Sequence, residues 1–555
     1  MKPVQSGMAL LAAFFFFSHT LSAVNPKFFI AFTDRNANPY SLSSPADFLS
    51  QRAIDRRTRQ HISLTENDLP VNPDYVDSVI AKGAIVFARL KWFNGVIVQC
   101  DSSTLNSILS LPFVQNAVKV FRHRSGYSSH PKFESEFTPL AQDHGIMRVA
   151  NYDYGDAFNQ IHLMNGEYLH QKGFKGEGMQ IAVLDAGFNS ADLLPALDSL
   201  FTENRVLGTW DFVRDTSLVF DQDAHGSEVL SDISAIFPGQ MVGTAPRASV
   251  YLIRTEDAPN EHLIEEYNWA AGAEFADSAG ADLISSSLGY SLFDDPSMDH
   301  TYADMNGHTC PSTRAANFAA AKGILVLVSA GNLGVDPWHY ISAPSDADSA
   351  LSIGAVDEFG YKAAFSSWGP SSDGDIKPNV AAKGAQATIS YTDGSIGLAN
   401  GTSFSCPILA GAAACLWQAH PDKTNMEVFR AIEQSANYHL QPGDSLGYGI
   451  PNFIRADQLL QGALNGEPAT DELLSVYPNP FRENLTLKFY SISDQEIHVL
   501  VSDEPGRIVL EEEVFTGSRY ITTIDLNRLS SLANGMYVLK IESSGKTFEG
   551  KLIKY

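Results

Sequence analysis

The stretch NGTSFSCPILAGAAACLWQA, residues 400–419, decides how the largest part of this 555-residue chain folds. Gly401 and Thr402 make a tight entry, and from Ser403 onward small and apolar residues run to Ala419 without one charge. That pattern reads as a buried helix. Working upstream, IAVLDAG (181–187), SVYLIRT (249–255), DLISSSLG (282–289), ILVLVSAGN (324–332) and LSIGAV (351–356) are short, continuous apolar runs. Helical stretches such as EHLIEEYNWAAGAEFADSAG (261–280) separate them. Strands of this kind belong in a parallel sheet with helices on both faces, so residues 150–462 are predicted to be an α/β unit.

Outside that unit the text changes twice. Residues 24–125 run strand, helix, strand, strand, helix, strand, the βαββαβ order of a ferredoxin-like unit. A basic helix is inserted over Ala46 to Gln60. Residues 126–149 lose periodicity and read as a linker. A Gly/Pro/Glu-rich joint at 463–472 leads into short alternating runs over 473–555, such as LTLKFY and MYVLKIE. These predict a small all-β, Ig-like sandwich of roughly seven strands. At the other end, Lys2, the apolar run Met8 to Phe17 and the small residues before Val24 have the form of a signal peptide over 1–23. Its apolar run is about half of the ~20 residues a spanning helix needs, and no later segment is long enough.

Chemistry concentrates in four places. Asp185 closes an apolar strand, where parallel sheets gather their functional groups. His225 opens an amphipathic helix in DAHGSEVLSDISAIF (223–237). Asn332 offers a side-chain amide at another strand end. Ser403 sits at a helix N-terminus, where free N–H groups and the helix dipole favour negative charge. Each has a plain structural alternative: a turn Asp, a structural His, a turn Asn and an N-cap Ser.

The chain order Asp185, His225, Asn332, Ser403, standing in the motifs DAG, HGSE, SAGN and GTSFSCP, resembles the subtilisin-like (S8) serine peptidases. The resemblance implies that Ser403 is the nucleophile, His225 the general base, Asp185 its orienting acid, and Asn332 an oxyanion donor. It further implies that Ser287, Leu288 and Gly289 pair with extended substrate, and that Ser329, Ala330 and Gly331 line a wall of the primary specificity pocket. Three departures stand out: Ala186 where a hydroxyl residue is usual, Glu228 in place of a second His, and Phe404, Ser405 and Cys406 after the nucleophile. The N-terminal unit resembles the propeptide of such enzymes, an intramolecular inhibitor and folding assistant removed by a cut in the 126–149 linker. YPNPF (477–481), LANGMYVLKI (532–541) and the ending KLIKY resemble a type IX secretion sorting domain. The expected protein is a secreted or surface-attached zymogen, monomeric, acting on proteins or peptides. The rival reading is a surface binding or adhesion protein built on an inactive peptidase fold.

Composition agrees with an exported globular protein. Hydrophobic residues make up 44% and charged residues 18%, ample for packed cores, while a net charge of −26 repels nucleic acid. That charge is unevenly placed: residues 146–462 hold 15 Lys+Arg against 39 Asp+Glu, whereas 24–145 hold 13 against 11. A salt-sensitive attraction between the two units is expected. Cys100, Cys310, Cys406 and Cys415 make no disulfide framework, and buried thiols are the favoured reading. The chemistry calls for no cofactor. Structural Ca²⁺, frequent in the family, is carried without assigned ligands. The acidic pairs Asp221/Asp223, Asp346/Asp348 and Asp373/Asp375 are more simply solvated loops.

Overall fold

A computed structural model of the chain describes residues 25–122, 132, 138–139, 148–149, 152–462, 471–491, 495–516, 520–543 and 546–555. The signal peptide expected over 1–23, nearly all of the 126–149 linker and most of the 463–472 joint lie outside the described residues.

The N-terminal unit has the predicted order, with the inserted helix in place: β1 (Lys27–Phe32), α1 (Gln51–Arg59), α2 (Pro73–Ala81), β2 (Ile85–Leu90), β3 (Gly95–Gln99), α3 (Ser102–Leu109) and β4 (Val114–Phe121). Its strands pair antiparallel in the order β2-β3-β1-β4. Because side chains alternate along a strand, β1 serves two cores. Phe28, Ile30 and Phe32 pack with Val76, Val79 and Ile108 of the unit's own helices. Phe29 and Ala31 face the other way, into the central unit.

That central unit is built on seven parallel strands: β5 (Gln180–Asp185), β6 (Val206–Asp211), β7 (Ser249–Arg254), β8 (Leu283–Ser286), β9 (Leu325–Ser329), β10 (Ala350–Val356) and β11 (Val380–Lys383). Their order is β11-β10-β9-β8-β5-β7-β6, every pairing parallel. One face, with Ile181, Val183, Leu252 and Leu327, is covered by helix α4 (His225–Ser234) and by α7 (Thr402–Ala419), the uncharged helix that opened the reading. The other face, with Ala182, Leu184, Ile253 and Val328, is covered by α5 (Ile264–Ala279) and α6 (Pro311–Ala321). Phe29, Leu90, Trp92, Ile97 and Val120 of the N-terminal unit join this second cluster beside Tyr267 and Ala316. The N-terminal sheet therefore packs on the outside of α5 and α6.

Among the described residues the C-terminal unit has seven antiparallel strands in two sheets. One holds β12 (Glu472–Tyr477), β13 (Leu485–Ser491) and β16 (Tyr520–Leu526). The other holds β15 (Ile508–Thr516), β14 (Gln495–Asp503), β17 (Gly535–Ser543) and β18 (Lys546–Lys554), in that order. Phe481, Leu487, Phe489, Val499, Leu539 and Leu552 fill the space between them. All four cysteines are buried and unpaired, as favoured. No helix among the described residues is long and apolar enough to cross a membrane.

Candidate active site

Strand β5 lies between β8 and β7, where the chain order of the sheet reverses, and it ends on Asp185. Crevices at the carboxyl ends of strands beside such a reversal are where open α/β sheets hold ligands. Helix α4 begins there with His225, whose N–H donates to the Asp223 side chain (2.9 Å). The helix start reaches the strand end only because residue 226 is glycine. A Cβ at Gly226 would stand 2.3 Å from the Gly187 carbonyl oxygen and 3.0 Å from the Asp185 Cβ.

His225 Nδ1 and Asp185 Oδ1 are 2.7 Å apart, with both residues buried. A carboxylate can only accept, so Nδ1 carries the proton and Nε2 keeps its lone pair. Burial raises the Asp185 carboxyl above its ordinary range, against the pull of His225. Burial alone would lower the His225 imidazole, but Asp185, Glu228 and Asp223 outweigh it, and its pKa is raised.

Ser403 is the second residue of α7, in the first turn where backbone N–H groups lack helical partners. Asn332, three residues beyond the end of β9, is tied to the same turn. Its Oδ1 accepts from the Thr402 N–H (2.8 Å) and the Thr402 hydroxyl (2.9 Å). With the oxygen so engaged, the Nδ2 amide is the donor left free among the described residues, and the residue is exposed to the cleft. Gly331 just before it has φ of +103°, a conformation that side chains strain to adopt.

Pro407 lies past the first turn. Its missing N–H is the one that would have bonded the Ser403 carbonyl four residues back. The Ser287 hydroxyl donates to that carbonyl instead (2.7 Å). The missing donor is thus replaced from the end of β8.

One cavity of about 380 Å³ joins these groups. His225, Asn332 and Ser403 line it, with Ser287, Leu288, Gly289, Ser329 and Gly331 along its walls. Ala330 differs from the expectation: it is fully buried, donates its N–H to the Ile353 carbonyl (3.0 Å), and does not line the cavity. Alternation along the chain explains this, since neighbours of an edge residue turn inward.

The departures have local consequences. Ala186 donates its N–H to Asp185 Oδ1 (2.7 Å), and Asp185 Oδ2, buried, finds no protein donor among the described residues. Glu228 lines the cavity. The Phe404 ring lies 6.2 Å from the His225 ring. Burial pushes the Cys406 thiol up to about 12, which leaves it unreactive.

At least one carboxylate of each acidic pair is engaged by a protein donor. Asp221 pairs with Arg214, Asp346 accepts from Thr313 and the Gly307 N–H, and Asp373 accepts from Ser371. Two trios that the sequence did not suggest bring ligand atoms within 4.8 Å of one another: Glu266, His300 and Cys310, and Glu256, Glu261 and Glu265. The second trio reaches the cavity, where Glu256 and Glu261 line the wall together with Lys132. Glu266, His300 and Cys310 meet only in space, and Glu256, Glu261 and Glu265, though close in sequence, match no metal-loop spacing.

Comparison with known proteins agrees with this architecture. A family model described as "Subtilase family" matches residues 176–451, one described as "Peptidase S8 propeptide domain, Bacteroidota" matches 27–134, and "Secretion system C-terminal sorting domain" matches 475–555. The chain is 30% identical over 285 residues to Subtilisin of Bacillus pumilus, covering 51% of this chain and 90% of that protein. It is 31% identical over 285 residues to Subtilisin E of Bacillus subtilis (strain 168), covering 51% of this chain and 65% of that relative's length. A Thermostable alkaline protease of Halalkalibacterium halodurans is 28% identical over 299 residues, with 54% and 73% covered. The sorting domain marks a secreted or surface-attached protein.

Proposed function

Because this chain belongs to the subtilase family, we propose that it is a serine endopeptidase, made as a zymogen with a self-inhibiting propeptide and exported through its C-terminal sorting domain. The observation that carries the reading is the 2.7 Å contact between His225 and Asp185 in the cavity that Ser403 and Asn332 share. Ser403 Oγ attacks the scissile carbonyl carbon, and its proton passes to His225 Nε2. Asp185 holds the ring in the right tautomer and stabilises the imidazolium. The oxyanion is received by Asn332 Nδ2 and the Ser403 N–H, donors fixed before reaction by the Thr402 contacts and the helix turn. The intermediate collapses as His225 gives its proton to the leaving amine, and water, deprotonated by His225, releases the acyl group from Ser403. Ser287, Leu288 and Gly289 offer a strand edge to the substrate backbone. No cofactor takes part, and no Ca²⁺ ligands are assigned.

The test is labelling of the secreted, processed protein with a fluorophosphonate probe. Labelling of wild type that disappears in Ser403→Ala is expected. Processed protein that takes no label would overturn the reading in favour of a surface binding protein.

A further inference from the structure

Lys132 stands near the end of the segment matched as propeptide, residues 27–134, and its ammonium sits in the cavity of the candidate active site. It is 2.9 Å from Glu256 Oε2, 3.0 Å from Glu261 Oε2 and 2.7 Å from Glu265 Oε1. An ammonium has three N–H donors, and here three carboxylates receive them. The acceptors are held in place by the central unit itself. Glu256 accepts from the Tyr290 and Thr255 hydroxyls, and Glu265 accepts from the Asp257 and His262 N–H groups. Glu256 follows the carboxyl end of β7, so the trio shares the sheet edge with Asp185 and Ser287. The last propeptide strand leads toward it: Phe121, which ends β4, packs its ring edge-on at 4.6 Å to that of His262.

We propose that Glu256, Glu261 and Glu265 form a substrate subsite for a lysine or arginine side chain upstream of the scissile bond, which Lys132 fills in the precursor. The proposal rests on the peptidase reading and adds a substrate class to it. Lys132 precedes the peptidase unit, so a cut in the linker after it leaves it on the acyl side. When the propeptide departs, the three carboxylates lose their cation. Burial raises the Glu261 and Glu265 carboxyls above their ordinary range, against the pull of Lys132. Burial would likewise strip Lys132 of its proton, but the three glutamates outweigh it and hold it charged. A basic substrate side chain restores the arrangement, and an acidic one meets repulsion.

The experiment uses secreted, processed protein and three fluorescent peptides of residues 128–137: the native sequence, Lys132→Arg and Lys132→Met. Fluorophosphonate labelling first establishes that the protein is active. The expected result is a kcat/KM about ten-fold or more higher for the Lys and Arg peptides than for the Met peptide. That preference should shrink in Glu256→Gln and also in Glu261→Gln, whose carboxylate holds Lys132 and has one buried oxygen without a donor among the described residues. Urea unfolding midpoints of both variants that match wild type separate lost recognition from misfolding. Labelled protein that cleaves all three peptides equally would overturn the subsite. So would Ca²⁺ binding that is lost in Glu256→Gln without any basic preference. If no label is taken, fluorescence anisotropy reports peptide binding without turnover. Binding that still depends on Lys132 would then support the subsite while the peptidase reading fails.

Discussion

At the scale of single residues, the charge around His225 sets when the site can work. Its pKa is raised by Asp185, Glu228 and Asp223 against the effect of burial. A general base must be neutral, so activity rises with pH through a limb lying above the usual ~6.5. Glu228→Gln removes one of the charges that hold the proton, so the limb should move to lower pH. A kcat/KM profile from pH 5 to 9 checks this, and an unmoved limb would refute it. The stability linkage runs in the opposite direction. A raised folded-state pKa adds stability below the unfolded value and loses it as pH rises through the raised one. Asn332 supplies a second prediction. Asn332→Ala should lower kcat by ~10²–10³-fold with KM little changed, a range that comes from measurements on subtilisin itself, this chain's relative. Steady-state kinetics on processed protein decide it.

At the scale of elements, the first turns of α7 show how a helix can be broken chemically without being broken geometrically. Pro407 withdraws one N–H from the ladder, and Ser287 from the end of β8 satisfies the Ser403 carbonyl in its place. Ser287→Ala should cost ~1–3 kcal/mol, because a buried acceptor loses its partner. Pro407→Ala returns a helical donor to that carbonyl, so the Ser287→Ala penalty should fall below ~1 kcal/mol in the double variant. Urea unfolding of the four proteins of this cycle measures the coupling. Additive penalties would mean that the two residues do not share the carbonyl.

At the scale of the molecule, the propeptide holds the central unit through buried charge. Asp277 of α5, fully buried, meets Arg56, Arg57 and Lys91 of the N-terminal unit, the latter two at 2.8 and 2.9 Å. Burial alone would raise its carboxyl, but the three cations hold it well below the carboxylate range. Asp277→Asn should destabilise the unprocessed precursor, trapped by Ser403→Ala, by ~3–5 kcal/mol, since it strands buried cations. The processed protein lacks those cations and should lose under ~1 kcal/mol; urea midpoints of the two forms make the comparison. This alters the expected salt dependence of the attraction. The half-exposed contacts of Arg52 and Arg59 with Asp282 are open to screening, and the Asp277 cluster is not.

What the sequence determined by itself is local and periodic. The apolar strands, the uncharged helix after Ser403, the βαββαβ order and the alternating C-terminal runs each follow from neighbours a few residues apart. So does the placing of Asp185, His225, Asn332 and Ser403, since motifs at strand and helix ends announce themselves along the chain. What only the tertiary structure decided depends on residues distant in sequence: Ser287 reaching the Ser403 carbonyl, Ala330 turned into the core, and the Asp277 cluster. The meeting of Lys132 with Glu256, Glu261 and Glu265 is of the same kind. Each of these is a short-range interaction whose strength depends on distance and on exclusion of water, and neither quantity exists until the chain has folded.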